Sequence, residues 1–313
     1  MHNLRRFYYQ NKYKIWGIII FIVLILLVIQ VVNKLVEYSN EQSLKEATAN
    51  NITNNTNINN QNKDTYVSSD RSSVTGEIIN DSTLEKASNA IENFISACNN
   101  GNIEQAYNLL SDDCKEELYP DINKFKILYY DSIFGGSKKT ASLENWSSNT
   151  YKVNIAQDIM ASGNINGMKT QDYISIVKDG KDTKLNINSF VKKEKINKTQ
   201  TIENIKFTIL SKNIYMDYEE FEIQVDNQTN SKISLDSKQD TKSIYIQDNN
   251  KIKYYARTNE ILNSLLRVNK GFSTQLTIKF SKSYSEDRKT SNIVFSDVTL
   301  NDDNNKKVIK IKL

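Results

Sequence analysis

The sequence predicts one membrane-spanning helix, then an α+β domain, then an all-β sandwich. Three observations predict it. An unbroken apolar run lies between Ile15 and Val32. Apolar residues recur at helical spacing from Leu84 to Leu110, and the period changes to two from about residue 149. Beyond residue 198, short alternating stretches succeed one another between polar turn clusters.

The apolar run IWGIIIFIVLILLVIQVV, with Gln30 its one strongly polar residue, reaches roughly 27 Å as a helix, close to the ~30 Å of a bilayer core. Leu35 and Val36 extend it, so the span is taken as 15–36. A cleaved signal peptide has a shorter apolar core and a nearby small-x-small site; here the first such site is Ala47-Thr48-Ala49. Arg5, Arg6, Lys12 and Lys14 precede the span without an acid, whereas Lys34 stands near Glu37. The positive-inside rule then puts the tail, 1–14, in the cytoplasm and the rest outside. Tyr8, Tyr9, Tyr13 and Trp16 sit at interfacial positions. The expected localisation is the cell membrane, single-pass.

Residues 37–81 read as a linker. The stretch NNITNNTNINNQNKD and the following SSDRSSVTG offer little apolar surface to offset chain entropy. A flexible coil of this length reaches roughly 35 Å, so a domain hung on it stays near the membrane.

Composition excludes some classes. The 313 residues hold 41 Lys+Arg against 37 Asp+Glu, a formal net charge of +4. Both signs are interleaved, so no nucleic-acid partner is expected. The skew toward Asn, Lys and Ile, with one proline (Pro120) and one histidine (His2), fits an AT-rich bacterial genome. Cys98 and Cys114 lie in no metal-ligand spacing. They read as small buried hydrophobes in helices, or as one disulfide if the domain is extracellular. Neither a metal nor a cofactor is expected.

The first soluble domain is placed at 82–197. Ser82-x-x-Glu85 reads as a capping box ahead of Leu84, Ala87, Ile91, Phe94, Ile95 and Cys98. A second apolar face runs through Ile103, Ala106, Tyr107 and Leu110. A third helix is expected through Phe125, Leu128 and Tyr129, stopped at Gly135-Gly136. Strands follow at 149–160, at QDYISIVKDG and at TKLNINSFV. Helices first and an antiparallel sheet second is an α+β plan.

The stretch FISACNNGNIEQAYNLLSDDCKEELYP resembles the opening of an NTF2-like domain, chiefly through Gly101, Ala106-Tyr107 and Leu109-Leu110. The resemblance implies a cone with a pocket between helices and sheet. Tyr107, Tyr129, Tyr151, Asp158 and Asp172 are the candidates to line it. In enzymes of that class an acid or base and an oxyanion donor sit inside the cone. Solvated strand carboxylates and core tyrosines are the simpler reading of these five, and no catalytic residue is assigned.

The second soluble domain is placed at 198–313. Strands are expected at Ile202–Ile209, Tyr218–Val225, Ile233–Leu235, Ile244–Ile246, Tyr254–Tyr255, Leu276–Phe280, Ile293–Phe295 and Val308–Ile311, which suggests a β-sandwich. The region resembles immunoglobulin-like sandwiches of bacterial envelope proteins, often labelled domains of unknown function. Val225-x-Asn227-x-Thr229, the Asp248-Asn-Asn turn and Gly271 carry the likeness. It implies a binding or spacing module. Asp248, Asp302 and Asp303 lack calcium-loop spacing and read as turn residues. Lys306, Lys307, Lys310 and Lys312 read as gatekeepers of an edge strand, and secondarily as an anionic-polymer contact.

The functional expectation is a membrane-anchored, extracytoplasmic binding or scaffold protein of the bacterial cell envelope, not an enzyme. Its partners would be other envelope proteins or anionic envelope polymers, and a homo-oligomer is compatible. Two alternatives stand beside it. One is a subunit of a conjugation or type IV secretion complex, because the order of tail, span and first domain is similar to VirB8-type and TcpC-type proteins. The TcpC-type carry a second NTF2-like domain where this chain has a sandwich. The other is a small-ligand sensor that signals through a partner.

Overall fold

A computed structural model describes residues 65–69, 71–135, 137–157, 169–180, 182–236, 242–300 and 306–313. They fall in one compact unit, Asn62–Leu313. The tail 1–14, the span 15–36 and the linker as far as residue 64 lie outside the described residues, as do Asp158, Asp302 and Asp303. Among the described residues no helix is long and apolar enough to cross a membrane.

The expected fold class, an α+β NTF2-like cone followed by an immunoglobulin-like sandwich, is corrected. The described residues are 50 % strand and 21 % helix, and a helix-rich cone is not what they form. Among the described residues one helix is long, α1 (Asp81–Asn99). The others are short: α2 (Ile103–Asn108), α3 (Asp112–Leu118), α4 (Ile122–Phe125) and α5 (Asp131–Ile133). A π turn, Lys126–Tyr130, joins the last two.

Together they make one layer on a five-stranded sheet. The strands, in spatial order, are β1 (Thr65–Ser69), β2 (Lys139–Ser147), β3 (Thr150–Gln157), β4 (Lys169–Asp179) and β5 (Asp182–Asn186). Strand β1 and the turn after it occupy residues read from the sequence as linker. β1 pairs parallel with β2, and the N–H groups of Ser73 and Val74 donate to the carbonyls of Asn145 and Trp146.

The cap of α1 also differs. Asn80 Oδ1, not Ser82, accepts the first free N–H, that of Ser82 at 2.9 Å. The apolar stripe Ala87, Ile91, Phe94, Ile95 and Cys98 is buried against the sheet. The helix stops at Gly101, whose φ of +72° is open to glycine at no steric cost. Phe125 and Tyr129 are buried as expected, but Leu128 is 61 % exposed, because the π turn rotates it out with Ile127.

The rest is two packed sheets around a second core. One is β13-β8-β7-β6 and the other β11-β10-β14-β9-β12, with β15 on the far side of β14. Their bounds are β6 Phe190–Ile202, β7 Ile205–Tyr215, β8 Glu219–Asn227, β9 Ile233–Ser234, β10 Ile244–Asp248, β11 Lys253–Tyr255, β12 Arg267–Val268, β13 Ser273–Phe280, β14 Thr290–Leu300 and β15 Lys307–Lys312. Every second side chain of β8 is buried, which puts Phe221, Ile223 and Val225 inward. The stretch expected as one strand around Ile202–Ile209 is a hairpin. Glu203 and Asn204 turn at φ 56° and 61° between β6 and β7, the left-handed pair that a two-residue hairpin requires.

Strands β6 and β7 join the two cores. Phe190 and Tyr215 belong to the first, while Ile205, Phe207 and Ile209 belong to the second. The edge of β15 is closed by Gln200 of β6. Its carboxamide donates to Lys312 O (2.5 Å) and accepts from Lys312 N (3.2 Å), as a neighbouring strand would. At the corner, Asn227 Nδ2 donates to Ser231 O (2.7 Å) and Val268 O (2.9 Å), and its Oδ1 accepts from Thr229 N and Oγ1.

Candidate functional site

The space between the helical layer and the five-stranded sheet is where the sequence places its candidates. Rings fill it: Phe125 stacks on Tyr129 at 5.9 Å, Tyr119 meets Phe125 edge-on at 5.6 Å, and Phe94 lies 6.0 Å from Tyr129. Tyr119, Tyr129, Phe94 and Phe125 are almost fully buried.

Of the five candidates, the fold brings two into contact. Tyr129 donates its hydroxyl to Asp172 Oδ2 at 2.8 Å. Asp172 is 4 % exposed, and burial pushes its carboxyl above the usual range, against four hydrogen bonds that pull it down. Burial, then Asp172 itself, drives the Tyr129 hydroxyl well up. Tyr107 instead donates to Tyr119 O at 2.9 Å, with Lys115 Nζ 5.2 Å from its ring. The Tyr151 hydroxyl is buried without a hydrogen bond among the described residues, and burial raises its pKa. Asp158 lies outside the described residues.

A buried acid bonded to a tyrosine has the parts of an acid–base pair. Its remaining bonds give it another task. Asp172 Oδ1 accepts the N–H of Tyr173 (2.7 Å) and Ser189 (2.9 Å), and Oδ2 accepts that of Asn188 (2.9 Å). Asn188 and Ser189 have φ of 57° and 61°, a conformation that costs roughly 1–2 kcal/mol per residue away from glycine. Their successive N–H groups form a nest, and Asp172 is the anion in it. The carboxylate clamps the turn between β5 and β6, and no lone pair faces solvent.

A second buried charge cluster lies in the sandwich, where sequence reasoning had nothing to find it by. Lys282 Nζ donates to Glu219 Oε1 at 2.6 Å, with side chains 2 % and 4 % exposed, and Thr290 Oγ1 donates to Glu219 Oε2. Lys282 stands 5.8 Å from the Tyr254 ring, whose hydroxyl donates to Asp248 Oδ2 at 3.0 Å. Burial pushes the Asp248 carboxyl up. The N–H groups of Ile252 and Asn250, the Tyr254 hydroxyl and Lys282 outweigh it and hold the carboxyl below the usual range. These residues come from four strands and two turns, so no spacing announces them.

Cys98 and Cys114 are both free and buried. Burial drives each thiol up to about 12, which leaves no thiolate for nucleophilic or metal chemistry near neutral pH. No cluster of metal-ligating side chains is present among the described residues. A shallow, open groove of about 720 Å³ lies along Gly101–Gln105, Asn108 and Leu109, all from one short helix and the residues that flank it.

A comparison with protein-family models, with curated proteins and with solved structures finds no match for the chain.

Proposed function

We propose that the chain is a membrane-anchored, extracytoplasmic binding or scaffold protein of the bacterial cell envelope, without catalysis of its own. One observation carries the second half of that reading. The acid in the best position for chemistry, Asp172, spends its lone pairs on a backbone nest and Tyr129, inside a space filled by aromatic rings. A general base needs a free lone pair within reach of a substrate proton, and a ligand site needs concave volume. The apolar run 15–36 and the charge asymmetry around it support the anchored, N-in half.

Labelling of intact cells tests the reading. A cysteine placed at the exposed turn residue Lys270 should react with a membrane-impermeant maleimide before lysis. The native Cys98 and Cys114, being buried, should not. Labelling of K270C that appears only after lysis would overturn the proposed topology. Release of the chain from membranes by alkaline carbonate would overturn the anchor.

A further inference from the structure

The outer face of the second sandwich sheet is a built surface. Backbone register aligns two rows across it. In the first, Tyr255 of β11 pairs with Tyr245 of β10, Tyr245 with Val294 of β14, and Val294 with Lys310 of β15. In the second, Lys253 pairs with Gln247, Gln247 with Asn292, and Asn292 with Lys312. Each row crosses four strands, roughly 14 Å at about 4.8 Å per step. The residues between them, Ile244, Ile246, Ile293, Ile309 and Ile311, point into the core, so alternation places both rows outside.

The chemistry of the rows is mixed in a particular way. The Tyr245 and Tyr255 rings meet edge to face, centroids 6.0 Å apart at 65°, and Lys253 Nζ lies 4.4 Å from the Tyr245 ring. Tyr255 is 39 % exposed, and Lys253, Lys310 and Lys312 are exposed. Gln247 and Asn292 put carboxamides beside them. No carboxylate points outward along these rows. Where the face ends, beyond the bulge in β14, Asp297 is buried and held by Lys306 at 2.6 Å.

Several lysines elsewhere in the sandwich have partners: Lys206 with Asp226, Lys212 with Glu194, Lys279 with Glu220, Lys282 with Glu219. Lys253, Lys310 and Lys312 make no ion pair among the described residues. The face therefore brings three lysines without an ion pair onto two rows that also carry two tyrosines and two amides.

We infer that this face binds an anionic polysaccharide, the tyrosines packing against sugar rings, Gln247 and Asn292 bonding hydroxyls, and Lys253, Lys310 and Lys312 meeting acidic groups. The inference rests on the extracytoplasmic reading above, which puts the face among envelope polymers. Single-stranded nucleic acid is disfavoured by geometry, because bases stack on parallel platforms and these rings stand at 65°. A bilayer surface is disfavoured because the rows carry no large exposed aliphatic residue; Val308 lies outside them, and Val294 is buried.

The test uses the full chain in detergent micelles over immobilised polygalacturonate, with neutral dextran, oligo-dT and phosphatidylglycerol vesicles as rival surfaces. Polygalacturonate should be bound in preference to all three. Y245A/Y255A should weaken binding by about tenfold, and Y245F/Y255F should keep it within about twofold, since the ring faces remain. K253Q/K310Q/K312Q should abolish the salt dependence and weaken binding by at least about tenfold. If a multiple variant loses its native circular dichroism, K310Q alone and Y255A alone supply the readout, each expected to weaken binding. Equal binding of dextran and polygalacturonate, preference for oligo-dT or vesicles, or binding unmoved by Y245A/Y255A or by K253Q/K310Q/K312Q would each overturn the inference. Intact-cell labelling of K270C reports the topology independently, so the two failures are distinguishable.

Discussion

Asp172→Asn tests the claim that Asp172 is a structural clamp. The carboxylate accepts from Tyr129 and from the N–H groups of Tyr173, Asn188 and Ser189. A carboxamide keeps one acceptor oxygen and turns a donor toward the groups that faced the other. At least one buried N–H is orphaned, at about 1–3 kcal/mol, and charge-assisted bonds of about 1.5–3 kcal/mol each are lost. Removing a charge whose ionisation burial disfavours returns part of this. The net expectation is about 2–4 kcal/mol of destabilisation near neutral pH, measured by urea titration of the solubilised chain under near-UV circular dichroism.

The pH dependence has a definite sign. The folded carboxyl titrates above its unfolded value near 3.9. Its contribution to stability is therefore fully present below that value and is lost as pH rises through the folded pKa. The asparagine variant lacks that loss, so its deficit relative to the parent should shrink as pH rises through the window. A deficit below about 0.5 kcal/mol, or one that grows across that window, would refute the clamp.

Other expectations follow from the same bonds. Lys282→Met should cost about 3–5 kcal/mol by leaving Glu219 buried without its cation, whereas Lys282→Met with Glu219→Leu should recover most of it; thermal melting of the two variants decides. Gln200→Ala opens the β15 edge at Lys312 and should lower stability by about 1 kcal/mol while raising aggregation, read by light scattering on warming. In the native chain neither Cys98 nor Cys114 should react with a thiol reagent at pH 8, and both should react in denaturant. Fast native labelling would show that the first core opens.

Local pattern carried much of the element reading. The alternation in Phe221–Val225 and the helical spacing from Ala87 to Cys98 match the observed burial, whereas Glu219 and Ala97 are buried outside the apolar pattern. Elements were missed where pattern is silent. Strand β2 reads KTASLENWS, whose inward residues include Asn145 and Ser147 beside Ala141 and Leu143, so its alternation is of burial and not of hydrophobicity. The break between β5 and β6 falls in an evenly alternating stretch, because two residues adopt positive φ for a carboxylate sixteen positions upstream. The cone expectation failed for a related reason. Helical signals crowd residues 81–134, but much of the fold goes into strands β6 and β7, which run on across both cores.

The candidate site divides in the same way. That Tyr129 and Asp172 exist, and that each lies on an amphipathic element, is in the sequence. That they touch, and that Asp172 is thereby occupied, needs a helix turn and a strand 43 residues apart to be packed together.

By itself the sequence determined the apolar run, the charge asymmetry about it, the succession of helices and strands, and which face of most elements is apolar. These are local quantities, set by composition and by periods of 3.6 and 2. Only the tertiary structure decided which polar groups are spent inside and which are left outside. It tied Asp172 and Glu219 into closed networks, and it lined up Tyr255, Tyr245 and Lys310 across four strands on an open face. Register and burial arise from long-range pairing, so no window along the chain contains them.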